Sequence, residues 1–168
     1  MCLYFTRTIL SRLVADSTQS TGLKWGAAAS SGPAFRAYTS SETFFSASTW
    51  TKISYNAEDF DTDSCFNTSN GRFTANKAGK YFFQVTSYNY SGGGSTQRQL
   101  ALYKNGSEEC LAFDLTTSQN NSSTQGAGFI DLNGSTDYVE AYIWMPGSSP
   151  KWASGRTFNY FSGFYVRS

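Results

Sequence analysis

Within the long segment of residues 80–90, apolar side chains recur at every second position over residues 81–85, and this alternation constrains the fold more than any other feature of the sequence. In an extended chain Tyr81, Phe83 and Val85 share one face, while Gln84 and Thr86 share the other together with Phe82. Similar segments follow one another between turn signals such as the Asn-Gly pair at 105–106, and no helical period of 3.6 residues is sustained. The sequence therefore predicts an all-β, jelly-roll sandwich of antiparallel strands.

The core of this sandwich must be built largely from aromatic rings, because 14 Phe, 11 Tyr and 4 Trp supply much of the apolar surface. Each buried ring removes roughly 150–250 Å² from water, which at about 25 cal/mol/Å² stabilises the fold by roughly 4–6 kcal/mol. Residues 119–125 and 146–155 are polar or rich in Gly and Pro, and they predict loops.

Charge and hydropathy exclude several classes of partner. The net charge is +1, so nothing steers the chain toward nucleic acid or an anionic membrane. No apolar run approaches the roughly 20 residues that cross a bilayer, and we expect no membrane insertion.

The titratable residues argue against catalysis. The chain has no His, which removes the commonest general base, the Ser–His and Cys–His nucleophile systems and most zinc sites. Carboxylates at Glu108, Glu109, Asp114 and Glu140 show no pairing of the kind that cleaves glycosides. We predict no enzyme activity. The three Cys leave two alternatives open, a Cys65–Cys110 disulfide or free thiols.

Composition divides the chain near residue 32. Residues 1–32 hold an N-terminal segment and a linker rich in Ser, Thr, Gly and Ala, and residues 33–168 hold the strand signals. The first 15 residues are a short strand or helix, the cut end of a longer chain, or a degenerate signal peptide.

Eight positions share the order and spacing of a known signature: Tyr55, Asp61, Phe66, Phe73, Gly79, Tyr81, Phe83 and Val85. This spacing resembles the globular head domain of complement C1q, in the tumour necrosis factor-like superfamily. The usual first Phe is Tyr55 here and the usual last aromatic is Val85, and both changes keep an apolar position. Residues 102–106 resemble the family's central hairpin, and residues 161–166 resemble its last strand.

The resemblance implies a sandwich of about ten strands that forms a homotrimer, with aromatic faces packed around an axis. It places core or trimer-packing roles on Tyr55, Phe66, Phe73, Gly79, Tyr81, Phe82, Phe83, Phe158, Tyr160, Phe161 and Phe164. It implies no catalytic residue and no cofactor, and it leaves a structural calcium ion open. The carboxylates of Asp59, Asp61 and Asp63 alternate as in calcium loops, but Ser64 and Asn70 stand where such a loop needs Gly and Glu.

Residues 13–25 resemble a segment that recurs in bacteriophage tail-fibre and related virion proteins just before a distal domain. Together with a trimeric head, this suggests a non-enzymatic fibre or virion surface protein that attaches to a host or decorates the capsid or tail. Its partners would be its own copies, other virion proteins and a host glycan or protein receptor.

The alternative is a secreted C1q-like recognition or ligand protein of a cellular organism. Asn-x-Ser/Thr sequons, including those at Asn67, Asn89, Asn105 and Asn133, favour it if they carry glycans. They are equally explained as turn residues.

Amphipathic side chains near two loops are the candidate receptor contacts, since rings and long cations suit binding of sugars or protein. They are Tyr88, Tyr90, Trp144, Lys151, Trp152 and Arg156.

Overall fold

The structure, a computed structural model, describes residues 12–15, 23–26, 32–90, 97–116 and 121–168. The chain divides into two compact units, Met1–Ser31 and Gly32–Ser168. In the first unit, β1 (Arg12–Ala15) pairs antiparallel with β2 (Leu23–Gly26). Part of the segment that composition predicts as linker is therefore strand.

The second unit is an all-β sandwich of two antiparallel sheets, as predicted. Its described strands number thirteen, not about ten, because four of them are short pieces of two residues. The seven-stranded sheet holds β3 (Ala34–Tyr38), β4 (Thr43–Phe44), β6 (Ala57–Asp61), β9 (Ala78–Tyr90), β12 (Asn121–Asn133), β14 (Lys151–Trp152) and β15 (Tyr160–Arg167). The six-stranded sheet holds β5 (Thr51–Lys52), β7 (Phe66–Asn67), β8 (Arg72–Thr74), β10 (Gln97–Lys104), β11 (Ser107–Thr116) and β13 (Tyr138–Trp144).

Strand β9 organises the seven-stranded sheet. One edge pairs with β12 over the whole of 78–90, and the other pairs with β15 and then with β14. The predicted loop at 119–125 is wrong for residues 121–125, which are strand. This polar stretch is held by tertiary pairing and by Thr124, whose buried hydroxyl donates to the Ser87 carbonyl (3.1 Å). The predicted loop at 146–155 likewise contains β14.

The core is a stack of phenylalanine rings that joins the two sheets. Phe35 on β3 stacks on Phe66 and on Phe73 from the opposite sheet, with ring centroids 4.8 Å apart in both pairs. Phe161 on β15 meets Phe35 edge-on at 5.0 Å. Alternation in β9 sends Tyr81, Phe83 and Val85 inward, and all three are fully buried.

Two glycines are required by the close approach of neighbouring groups. Gly79 lies inside β9 with φ of 145°, where a Cβ would come within 2.5 Å of the Arg167 carbonyl oxygen. At Gly163 on β15, a Cβ would come within 2.5 Å of the Phe83 ring. A larger residue at either position would push apart the strands or rings of the core.

The described cysteines are free thiols, so the disulfide alternative is excluded. Cys65 is buried and Cys110 is half-buried, and burial raises the pKa of both thiols. Cys2 lies outside the described residues. No part of the chain that the structure describes forms a helix long and apolar enough to span a membrane.

The carboxylate of Asp137 links the turn at Asn105 to the turn at Asn133. The Asn105-Gly106 turn has positive φ at both residues, as the pair predicts. Asn105 Nδ2 donates to Asp137 (2.8 Å), the Asn133 N–H donates to the same carboxylate (3.0 Å), and Lys104 Nζ lies 3.2 Å from it. The hydrogen bond from Asn105 is the main reason that the pKa of Asp137 lies below its ordinary 3.8.

Asp137→Asn is expected to destabilise the fold by about 1.5 kcal/mol at pH 7, since hydrogen bonds to a charged group are lost. A lowered pKa stabilises the folded state fully above the unfolded value of 3.8, and the contribution disappears as pH falls through the folded value. The difference between wild type and variant should therefore shrink below about pH 4 in urea unfolding.

The matched control is Asp131→Asn. Asp131 forms an ion pair with Lys80 at 2.7 Å, but both side chains are largely exposed, so its loss should change stability little at any pH. Equal effects of the two variants, or a difference that grows in acid, would contradict the role given to Asp137.

Candidate binding surfaces

The outer face of the seven-stranded sheet is unusually apolar. Seven large hydrophobic side chains are exposed among the described residues, and six of them belong to this sheet or immediately precede β15: Phe44, Phe60, Phe129, Phe158, Phe164 and Val166. The seventh, Leu111, lies on β11 of the other sheet. The exposed apolar surface is thus concentrated on one face.

Cross-strand pairing lines up three of these rings across the middle of the face. Phe82 on β9 is opposite Phe129 on β12 and opposite Phe164 on β15. The Phe82 ring centroid lies 5.2 Å from that of Phe129 and 5.5 Å from that of Phe164. We call Phe129, Phe82 and Phe164 the phenylalanine row. Phe129 is 67% exposed.

At one edge of this face, two arginines share a carboxylate. Arg36 and Arg156 both contact Asp59, whose side chain is only 11% exposed. The Arg36 guanidinium lies over the Tyr160 ring at 4.6 Å, and that of Arg156 lies 5.6 Å from the Tyr38 ring. Arg156 is thus engaged within the fold, although it stays largely exposed.

The end of β9 carries a second group of rings, the loop-end cluster of Tyr88, Tyr90, Phe158, Lys151 and Phe44. Tyr88 lies 5.2 Å from Tyr90 and 5.6 Å from Phe158, measured between centroids. Lys151 Nζ lies 5.0 Å from the Tyr90 ring and 5.7 Å from the Phe44 ring. Three of the six predicted receptor contacts therefore come together, on the same outer face as the phenylalanine row.

Asn159 fixes the position of Tyr88. Along this edge β9 pairs with β15 as far as Thr86 and with β14 from Asn89 onward, so Tyr88 lies between the two partner strands. The fully buried Asn159 accepts the Tyr88 N–H at Oδ1 (2.8 Å), and the Ala153 N–H donates to the Tyr88 carbonyl (2.9 Å). Asn159 also donates to the Ala153 carbonyl, so its side chain makes the hydrogen bonds that a paired strand would otherwise make at this point of β9.

Two other predicted contacts lie elsewhere. Trp152 is 2% exposed and stacks on Phe45 with centroids 5.1 Å apart, so it belongs to the core and offers no surface to a receptor. The sequence places it in a loop, but its short strand turns it inward. Trp144 is half-buried on β13 of the six-stranded sheet, away from the loop-end cluster.

The residues expected to pack fall into three groups. Tyr55, Phe66, Phe73, Tyr81, Phe83 and Phe161 are buried in the core. Burial raises the pKa of Tyr81 to about 12 and that of Tyr55 well above 10. The outward group is Phe82, Phe158, Tyr160 and Phe164, on the face that holds the phenylalanine row. Gly79 allows the close approach of the last strand described above.

The alternating carboxylates at 59–63 do not converge. Asp59 is held by two arginines, and Asp61 Oδ2 accepts the Phe66 N–H (2.8 Å) as a turn contact. Among the residues that the structure describes, no group of three or more His, Cys, Asp or Glu is arranged to hold a metal ion.

The outer face of the six-stranded sheet carries a ring cluster that the sequence reasoning did not single out. Tyr103 on β10 stacks on Tyr142 of β13 with centroids 4.0 Å apart, and Trp50 lies 6.1 Å from Tyr103. We call Trp50, Tyr103 and Tyr142 the tyrosine patch. All three are half-buried. The alternation of residues 138–144 in the sequence could have predicted the position of Tyr142. Val139, Ala141 and Ile143 point inward, so Tyr142 between them points outward.

A carboxylate with two cationic partners borders this patch. Glu140 Oε1 lies 3.1 Å from Lys52 Nζ and 3.1 Å from a terminal nitrogen of Arg72, and the Glu140 side chain is only 3% exposed. A carboxylate neutralised in this way is unsuited to general acid or base work. Burial is the main cause that raises the pKa of both Tyr103 and Tyr142. Glu108 adds to the rise at Tyr103 and Glu140 adds to the rise at Tyr142, so both hydroxyls stay protonated.

Comparison with known proteins gives a consistent picture. The family described as C1q domain matches residues 34–166. The globular domain of zebrafish complement 1qA superposes with a TM-score of 0.58 at 19% identity, covering 80% of this chain and 98% of that one. Murine APRIL gives 0.59 at 13% identity with 80% and 98% covered, and Eiger TNF from S. frugiperda gives 0.55 at 10% identity with 83% and 95% covered. No curated protein is similar to the chain at a significant level.

Proposed function

This chain belongs to the C1q domain family, and we propose that it is the trimeric head of a bacteriophage fibre or virion surface protein. Domains of this family and its tumour necrosis factor-like neighbours are typically trimeric and non-enzymatic, and they bind receptors or ligands outside the cell. In the proposed role the head attaches the particle to a host surface or decorates the capsid or tail.

The observation that carries the proposal is the apolar outer face of the seven-stranded sheet. A row of rings flanked by further exposed Phe residues forms a clustered apolar surface, and such clusters mark interaction sites, whereas single exposed apolar side chains need no explanation. A closed cyclic assembly covers the same face on every copy. The phenylalanine row would then lie between neighbouring heads, and the loop-end cluster on the same face would contribute to subunit contacts.

The fibre assignment is supported by residues 13–25, which precede the head and resemble the segment found before distal domains of phage tail fibres. A trimeric head also suits attachment, because three linked sites raise the apparent affinity of weak single contacts. The proposed partners are two further copies of the chain, other virion or fibre proteins, and a host glycan or protein receptor.

Immunogold electron microscopy of particles from the source culture tests this role. Antibodies against residues 32–168 should label the tail tip or surface of intact virions, and excess purified protein should compete with the particles for adsorption to host cells. Label confined to secreted, particle-free protein would contradict the proposal.

The second candidate, a secreted recognition protein of a cellular organism, is favoured by exposed sequons. Asn67, Asn105, Asn121 and Asn133 are exposed, whereas Asn89 is fully buried and can carry no glycan in the folded head. This candidate predicts glycan mass on protein isolated from its source. Virion labelling without glycan mass would exclude it.

A further inference from the structure

The tyrosine patch is a ring cluster that lies outside the main core. On the inner face of the same strands, Leu102 and Ile143 are fully buried. The rings of the tyrosine patch instead lie on the outer face. There they cover Ala101, which is paired with Tyr142 across the strands and is 0% exposed. Three half-buried aromatic side chains remain on a surface that the proposed trimer leaves open.

Among the residues that the structure describes, no side chain or backbone group forms a hydrogen bond to the polar ends of these rings. Neither the hydroxyls of Tyr103 and Tyr142 nor the Trp50 indole N–H makes a hydrogen bond to another residue in the described ranges. An amphipathic ring with a free polar end suits a ligand that has both apolar and hydrogen-bonding surfaces.

The charges around the patch balance. Lys52 and Arg72 share Glu140, Lys104 pairs with Asp137, and Glu108 lies opposite Tyr103 on β11. Three positive and three negative side chains sum to zero, so the surface exerts no strong net field on an ionic ligand. The buried Glu140 carboxylate nevertheless fixes Lys52 and Arg72 at the edge of the tyrosine patch. Each of these two side chains is about one-third exposed and can donate hydrogen bonds to a ligand.

The size of the patch favours a small ligand. Stable protein interfaces involve roughly 20–30 residues a side, with a continuous apolar centre. Here the rings are few and are bordered directly by ion pairs. A sugar, with an apolar C–H face and a rim of hydroxyls, matches both the rings and the donors around them.

We propose that the tyrosine patch binds neutral saccharides of the host surface, and that Trp50, Tyr103 and Tyr142 supply the stacking surface while Lys52 and Arg72 donate to sugar hydroxyls. This inference rests on the proposed attachment function and names the ligand class and the surface. It assigns recognition to the face opposite the phenylalanine row, not to the loop-end cluster.

The test is binding of the full-length protein to an array of immobilised neutral glycans, built from hexoses and N-acetylhexosamines, and acidic glycans carrying uronic or sialic acids. Wild type should bind neutral glycans. Trp50→Ala and Tyr142→Ala should each weaken binding about tenfold, which is about 1.4 kcal/mol. Asp131→Asn changes a largely exposed side chain on β12 of the other sheet, outside both the phenylalanine row and the loop-end cluster, and it should leave glycan binding within about twofold.

Mass and thermal unfolding are measured for every variant. Lys52→Gln provides an independent test if a ring variant fails to fold. It should fold normally because Arg72 still neutralises Glu140, and it should weaken glycan binding by about threefold. Exclusive binding to acidic glycans, or loss of binding with Asp131→Asn but not with Tyr142→Ala, would overturn the inference.

Host cells separate this inference from the proposed function. Wild-type protein should bind untreated and protease-treated cells, and periodate oxidation of surface sugars should abolish binding. Binding that survives periodate but not protease would overturn the saccharide site while leaving attachment intact. No binding to untreated cells would contradict the attachment function itself, and the inference with it.

Discussion

Phe129→Lys is expected to convert a trimer of about 55 kDa, three times 18.5 kDa, into an 18.5 kDa monomer. Phe129 is 67% exposed in the single chain, so its replacement removes little from the core. In the proposed trimer, however, each copy would bury an unpaired ammonium against the phenylalanine row. Burying a charge without a partner costs several kcal/mol per site, enough to dissociate the assembly. Light scattering coupled to gel filtration measures the change.

Leu111→Lys is the matched control. It makes the same apolar-to-cation change at an exposed position on the six-stranded sheet, which the proposed trimer leaves free. This variant should keep the mass of wild type. Dissociation by both variants, or by neither, would show that the phenylalanine row is not the subunit contact.

Phe35→Ala is expected to destabilise the head by about 3–5 kcal/mol, the largest effect of any single substitution proposed. Phe35 is 1% exposed and touches rings from both sheets, so its removal leaves a cavity between them. A loss of this size is a large fraction of the roughly 5–15 kcal/mol that stabilises a typical protein. Urea unfolding followed by near-ultraviolet circular dichroism would report it.

The comparison must be made at one protein concentration, because dissociation of a trimer couples to unfolding. Leu111→Ala serves as the control, since it truncates an apolar side chain that is 46% exposed, and its effect should stay below about 1 kcal/mol. Similar losses for Phe35→Ala and Leu111→Ala would contradict a core centred on Phe35.

The architecture was predictable because alternation of the side chains reports burial directly. Tyr81, Phe83 and Val85 point inward on β9 as their spacing predicts. The resemblance predicted packing roles for Phe66 and Phe73, and the structure places both in the core on the opposite sheet. Strand β12 was missed over residues 121–125 because its polar side chains carry no apolar period. Its pairing with β9 is set by tertiary structure and not by local propensity.

The binding surfaces were harder to predict. The sequence identifies amphipathic residues, but it does not say which sheet face each one occupies or which face another copy covers. Trp152 and Trp144 are two loop-proximal tryptophans in sequence, yet one is buried against Phe45 and the other lies on the opposite sheet. The tyrosine patch combines Trp50, Tyr103 and Tyr142 from segments far apart in the chain, so no local motif marks it.

The mass of the unmodified chain in solution tests the central claim most directly. Sedimentation equilibrium over a range of micromolar concentrations should give about 55 kDa throughout, because three copies of 18.5 kDa cover one another's exposed rings. A soluble, stable species of 18.5 kDa at every concentration would mean that this face needs no second copy, and the account would fail.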